Sequence, residues 1–197
     1  MPIIKKLAIE QITNPAIKRI SQVASINRLS GISDKDSYNE IRGILNSTLH
    51  RLMKQSILYT EYARRKTVYT SDVEYALNDI SYLHLFTMHK GKVKPCGQIK
   101  KIKRNKAIRE IKYLQKQSDC LHIPHAPFVR LIKEIGIDYR TDLVYNKDAL
   151  NIIQFAIEHF LIELLSYANK IAINGDRTTV QPKDITIAYR ALKYPMK

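Results

Sequence analysis

The sequence predicts an all-α protein built from two three-helix units in tandem, clasped into an intramolecular pseudo-dimer. Three observations carry that expectation. The two halves repeat at an offset of 112 positions, as from Pro15 to Pro127. Each half holds one long apolar stripe of helical period. The pattern R-x-T-V-x-x-x-D-[VI] occurs twice at that offset, from Arg65 and from Arg177.

The repeat aligns without gaps. Ile17, Ile20 and Val23 match Val129, Ile132 and Ile135, and Arg28 matches Arg140. Ile41, Leu45, Leu49 and Leu52 match Ile153, Ile157, Leu161 and Leu164, and Ala76 matches Ala188. Each copy reads as short helix, loop, long helix, loop, short helix. The first short helix starts at a proline, whose missing N–H is no loss in a first turn. The long helix of the first copy is expected from about Tyr38 to Ala63, with apolar residues recurring every three or four positions. Its counterpart runs from about Asp148 to Asn174, followed by Gly175, a residue suited to a left-handed C-terminal cap. The Thr-Val segments after each long helix are short and β-like. The last helices begin near Thr70 and Pro182, and Asp72 and Asp184 fall in their first turns, where negative charge suits the helix dipole. Arg65 and Asp72 are spaced as Arg177 and Asp184 are, and each pair is expected to clamp its loop to the last helix. A helix of about 26 residues spans roughly 39 Å and cannot cover its own stripe with one short helix at each end. Two such units, crossed at their long helices, would bury both.

Charge is unevenly spread over the 197 residues, with 33 Lys and Arg against 18 Asp and Glu, a formal net charge of +15. Residues 87–106 read as a basic connector in which Lys100, Lys101, Lys103, Arg104 and Lys106 crowd without counter-charge. A polyanionic partner follows, nucleic acid before an acidic membrane. Cys96 and Cys120 make neither a disulfide framework nor a zinc site and fit a reducing compartment. No stretch approaches the roughly 18 apolar residues of a membrane span, and MPIIKK does not open a signal peptide. The expected setting is intracellular or inside a particle.

Longer motifs add a family resemblance. T-N-P-A-I-K-R-I, E-I-R-G-I-L and Y-T-E-Y-A-R-R-K-T-V-Y-T-S-D-V-E-Y-A-L, within residues 13–86, resemble histone H-four. A-I-R-E-I-K-Y, P-F-V-R-L-I-K-E-I, D-Y-R-T-D-L and R-T-T-V-Q-P-K-D-I-T-I-A, within 107–193, resemble histone H-three. Two histone folds in tandem, forming an intramolecular handshake, resemble the fused histone doublets of giant double-stranded DNA viruses. The resemblance implies a first fold over residues 1–86 and a second, with an extra N-terminal helix, over 107–197.

It also implies a function and a set of residues. The chain would be a core histone doublet that wraps duplex DNA without sequence preference, in nucleosome-like particles completed by a second doublet. DNA contacts would fall on Lys18, Arg19, Arg28, Arg64, Lys66 and Thr67 of the first fold. In the second they would fall on Arg109, Lys116, Arg130, Lys133, Arg177 and Thr178. Arg65–Asp72 and Arg177–Asp184 would be loop clamps. The second fold would self-associate through Ile171, Asn174, Asp184, Ile187 and Ala191. The first would meet an H-two-B/H-two-A-like doublet through Tyr59, Tyr62, Tyr75, Leu83 and Phe86, the alternative for the apolar residues just after the helix being that they cover the chain's own core. Departures from the family are Val144 where the second fold's first-loop arginine is expected, about four extra residues around Asp34–Ser37, and a short N-terminal tail. The chain would work in the host nucleus or a viral factory and be packaged in the virion. No catalytic, metal or cofactor motif is present, and His122 and His125 read as polar turn residues. The alternative is a histone-fold scaffold subunit of a transcription or chromatin complex.

Overall fold

Both long apolar stripes form helices, and they cross in the middle of the molecule. The computed structural model describes residues 12–31, 36–83, 94–95, 106–115 and 120–194. Chain order is α1 (Asn14–Val23), β1 (Arg28–Leu29), α2 (Ser37–Tyr62), β2 (Thr67–Val68), α3 (Thr70–Asp79), β3 (Lys94–Pro95) and α4 (Lys106–Gln115). It continues with β4 (Cys120–Leu121), α5 (His125–Ile137), β5 (Val144–Tyr145), α6 (Lys147–Asn174), β6 (Thr179–Val180) and α7 (Pro182–Lys193). Lys116, Leu85, Phe86, Cys96 and the basic run from Lys100 to Arg104 lie outside the described residues, as do Lys5, Lys6, Asp34 and Lys35.

The helices end where local chemistry ends them. Asp36 caps α2 by accepting the Tyr38 amide at 3.2 Å, and Asn146 caps α6 by accepting the Asp148 amide at 3.1 Å. Gly175 does not take the left-handed turn expected of it. Its φ is −91°, and the turn is made one residue later by Asp176, at φ 53°. Arg64 makes the same turn after α2 at φ 52°. A polar residue in this conformation, at matching places in both copies, closes each long helix without glycine. Pro15 and Pro127 both sit in first turns, but after Asn14 and after His125 and Ala126 rather than at the first position.

Packing interleaves the two halves. The short helices that flank the long ones in each half, α1, α3, α5 and α7, each contact both α2 and α6. Ile41, Leu45, Leu49 and Leu52 of α2, and Ile153, Ile157, Leu161 and Leu164 of α6, are at most 1% exposed and belong to one continuous core. Truncating any of them to alanine would cost about 2–5 kcal/mol. The buried hydroxyls of Thr48, Ser56 and Thr60 donate to carbonyls one turn back, at 2.8, 2.9 and 2.9 Å, so polar atoms enter the α2 core without loss.

One composition reading is overturned by α6. By length and composition it could cross a membrane, contrary to the expectation that no stretch comes near, but 67% of its apolar 18-residue window is buried inside the protein. It is apolar on most sides because helices from both halves surround it.

The strands join the halves. β1 pairs with β6 in parallel, with Arg28 opposite Thr179, and β2 pairs with β5, with Thr67 opposite Val144. A third pair joins β3 to β4. These registers break the gapless repeat: Arg28 stands where the second unit has Val144, not Arg140. The two units reach that place differently. Seven residues separate β1 from α2, whereas one separates β5 from α6, and α5 is longer than α1. Gly136 near the end of α5 is required by a close approach, since a Cβ there would lie 1.9 Å from the Tyr145 hydroxyl oxygen.

Candidate nucleic-acid interface

The two loop pairs lie at opposite ends of the crossed long helices. At one end the Ser37 amide donates to the Ser30 carbonyl at 3.1 Å and the Ser37 hydroxyl to the Val180 carbonyl at 3.3 Å, fixing the start of α2 to the β1–β6 pair. At the other end the Val144 amide donates to the Lys66 carbonyl at 2.9 Å and the Asn146 amide to the Val68 carbonyl at 3.0 Å. The pairs are therefore separated by about the length of α2, roughly 39 Å.

Each pair is held from inside by an arginine–carboxylate fork. Arg65 donates to Asp72 at 2.8 and 3.1 Å, and Arg177 to Asp184 at 2.8 Å through both terminal nitrogens. Both carboxylates also accept the amide of their helix N-cap, Tyr69 and Gln181, at 2.9 Å. Asp72 takes a further bond from the Thr60 hydroxyl at 3.2 Å. Burial pushes both carboxyl pKa values up, but the arginine and amide hydrogen bonds outweigh it and hold both below the ordinary value. The bidentate fork explains why the sequence repeats an arginine and an aspartate at this spacing.

The outward charges differ between the pairs. At β1–β6, Arg28 is exposed, no carboxylate among the described residues pairs with it, and Thr178 beside it is exposed. Arg177 is turned inward by its clamp. At β2–β5, Arg64 and Lys66 are exposed and Thr67 is half-buried, but Lys66 lies 3.2 Å from Asp142. Arg140 grips the same carboxylate at 2.5 and 3.1 Å and also donates to the Arg65 carbonyl at 3.3 Å. The two cations hold the Asp142 carboxyl down to about 2, with the Arg140 hydrogen bond as the largest cause. Neither Asp142 nor Arg140 is among the expected site residues; a carboxylate two residues from an arginine in a polar loop gives too little signal.

The remaining basic residues are spread over helices. Lys18 is exposed and Arg19 half-buried on α1; Arg109 is exposed on α4; Arg130 and Lys133 are exposed on α5. α4 is tied to the end of α1, where the Gln115 side chain donates to the Val23 carbonyl at 3.3 Å and the Ser25 hydroxyl at 2.8 Å.

Two sets of expected protein contacts are redistributed. Tyr62 is 91% and Tyr75 58% exposed, whereas Tyr59 is half-buried, donates to Asp79 at 2.5 Å and lies 5.6 Å from the Tyr75 ring. Leu83 corrects the expectation of an outward docking residue. It is buried in the chain's own core next to Tyr82, whose ring packs on Phe160 and Tyr189 at 5.5 and 6.3 Å. On the second unit Ile187, Asn174 and Ala191 are exposed and Ile171 half-buried. Asp184 is buried with its carboxylate engaged, so it braces its own loop rather than facing outward. Ile173, not foreseen, adds an exposed apolar side chain there.

His122 is also corrected. It is buried on the segment after β4, and burial, with Arg19 nearby, lowers its pKa to about 4. Glu158 of α6 pins this segment by accepting the His122 and Ile123 amides at 2.7 and 3.0 Å, while Gln154 donates to it at 2.9 Å. Burial raises the Glu158 carboxyl to about 7. His125, at the exposed start of α5, keeps its Nδ1 within 2.8 Å of the Gln154 side-chain oxygen. Among the described residues no three of His, Cys, Asp or Glu converge as metal ligands would.

Residues 103–191 match the family model for the core histone domain, the one shared by histones H-two-A, H-two-B, H-three and H-four, so this part of the chain is a histone-fold domain. The chain is also similar in structure to the histone from Methanopyrus kandleri. The TM-score is 0.59 and the identity 17%, over 93% of this chain and 96% of that one. At that identity the likeness speaks for the fold, which is the helical histone fold.

Proposed function

We propose that this chain is a core histone doublet that binds and bends duplex DNA through backbone contacts, without reading base sequence. The single observation that carries the reading is the parallel pairing of each unit's first loop with the other unit's second loop. It creates two basic edges about one long-helix length apart. That separation is close to one turn of duplex, roughly 34–36 Å, so the two edges suit successive inward faces of a bent duplex. Histone octamers wrap DNA in this way, with arginines entering the inward-facing minor groove and no base-specific contacts. Arg28 is assigned that role at β1–β6. Arg64, Lys66, Thr67 and Thr178 are assigned phosphate contacts, as are the exposed cations of α1, α4 and α5. Lys116 and the basic connector are assigned to the same path.

The repeat at an offset of 112 and the packing of short helices from both halves on both long helices support two folds in one polypeptide. Self-association through the exposed face of α6 and α7, and docking of a second doublet on Tyr62 and Tyr75, would complete a nucleosome-like particle. The doublet arrangement resembles that of giant double-stranded DNA viruses, so we assign it to the host nucleus or viral factory and to the virion.

Salt titration tests the reading directly. Binding to unrelated duplexes of equal length should be equal, with log K falling steeply and linearly with log salt. Reconstitution with a partner doublet should protect a regular length of DNA from nuclease. Strong preference for one sequence, or no protected length, would count against DNA wrapping and favour a scaffold role.

A further inference from the structure

We propose that Asp142 is a built-in competitor of DNA phosphate at the β2–β5 loop pair, making it the weaker of the two grips. The inference rests on the DNA-binding reading above and concerns only how that site is tuned.

The geometry is that of an internal anion site. One carboxylate sits between the Lys66 ammonium at 3.2 Å and the Arg140 fork at 2.5 and 3.1 Å. The Lys66 and Asp142 side chains are 71% and 42% exposed, so the cluster faces solvent along the edge of the loop pair. Phosphate would use the same donors, because a fork geometry fits carboxylate and phosphate alike. Exposed ion pairs are weak, so a duplex can displace the carboxylate. It must, however, break contacts that the described residues of β1–β6 do not make, and the aspartate charge stays beside the incoming phosphate. The departure at Val144 compounds this. At 57% exposure it offers the duplex an apolar side chain where the partner loop pair offers Arg28. Thus, among the described residues, β1–β6 presents an open arginine, whereas at β2–β5 Lys66 and Arg140 are already engaged and Arg64 is the exposed cation beside them.

A second role for Asp142 has the opposite sign. If the carboxylate oriented Lys66 and Arg140 toward DNA, removing its charge would loosen binding.

The test uses the full chain and a labelled duplex of arbitrary sequence, with Kd measured over a salt series. Asp142→Asn should tighten binding about threefold to tenfold near 0.1 M salt. It should steepen the slope of log K against log salt by about one, since one more phosphate contact releases its counterion. In a Lys66→Ala background the gain should fall below about twofold. Asp142→Ser, measured in parallel, carries the same expectation should the asparagine variant fold poorly. Unchanged or weaker binding by folded variants, or an unchanged slope, overturns the proposal. A parent chain that binds no duplex at all sinks the DNA-binding reading with it; a parent that binds while Asp142→Asn changes nothing removes this inference alone.

Discussion

At the β1–β6 loop pair Arg28 stands exposed opposite Thr179, while at the β2–β5 pair Val144 stands opposite Thr67 and Asp142 holds the nearby cations. Beneath that difference the two pairs share one construction. Each joins a first loop to a second loop, each is braced by an arginine–aspartate fork, and each abuts the start of one long helix and the end of the other. The scaffold is constrained because its members are buried and hydrogen-bonded. The outward charges are not, because an exposed side chain on a two-residue strand touches no core. Two such loop pairs can therefore keep one frame while the charges they present outward diverge.

The heaviest losses should come from attacking what the pairs share. Asp184→Ala and Asp72→Ala each remove a buried carboxylate, its arginine partner and a helix cap, and should destabilise the protein by about 2–4 kcal/mol in denaturant melts. Asp72→Ala should be slightly the costlier, since it also removes the contact that the Thr60 hydroxyl shares with Asp72 while keeping its bond to the Ser56 carbonyl; equal losses would show that this contact adds nothing.

Next comes the open arginine. Arg28→Ala should weaken duplex binding by about tenfold and leave the melting midpoint almost unmoved, as an exposed side chain contributes little to stability. Loss of folding by Arg28→Ala, with full affinity in the folded fraction, would contradict its assignment. Val144→Arg should restore symmetry and tighten binding by a few fold, a smaller change than removing Arg28 because Asp142 would lie in the same loop. A gain as large as the Arg28→Ala loss would mean that Asp142 does not interfere.

Least change is expected between pH 8 and 5. Asp72 and Asp184 have folded pKa values below the ordinary one, so their stabilisation is complete above the unfolded value near about 3.9 and is lost as pH falls through the folded values. Both loop pairs should stay clamped at pH 5. Glu158 runs the other way: raised to about 7, its contribution is present at low pH and is lost as pH rises through 7. His122, lowered to about 4, contributes above about 6.5 and loses its contribution as pH falls through 4. Thermal melts should thus rise slightly from pH 8 to 5 and collapse below about pH 4. A collapse already at pH 5 would show that the clamps are weaker than their geometry implies.

Much of this organisation is legible in the residues. Helix positions follow from apolar period. The starts of α3 and α7, at Thr70 and Pro182, are announced by acidic residues that belong in a first turn. The clamps follow from a repeated spacing. The loops between the first and long helices are where the sequence misleads, since β1 and β5 are two residues long and carry no period; a gapless alignment slides Arg28 onto Arg140. His122 and Glu158 give no warning either, because a histidine near prolines and a glutamate on a helix are ordinarily exposed. Their burial depends on α1, β4 and α6 meeting, which no local pattern encodes.

The two-unit frame is written in the chain itself, because helical periodicity and the fork residues are local and repeat along it. Which charges stand open and which are already paired is settled by the assembled fold alone. Lys66 and Asp142 are far apart in sequence and meet only because β2 and β5 pair, and electrostatics over a few ångströms depends on position rather than on composition.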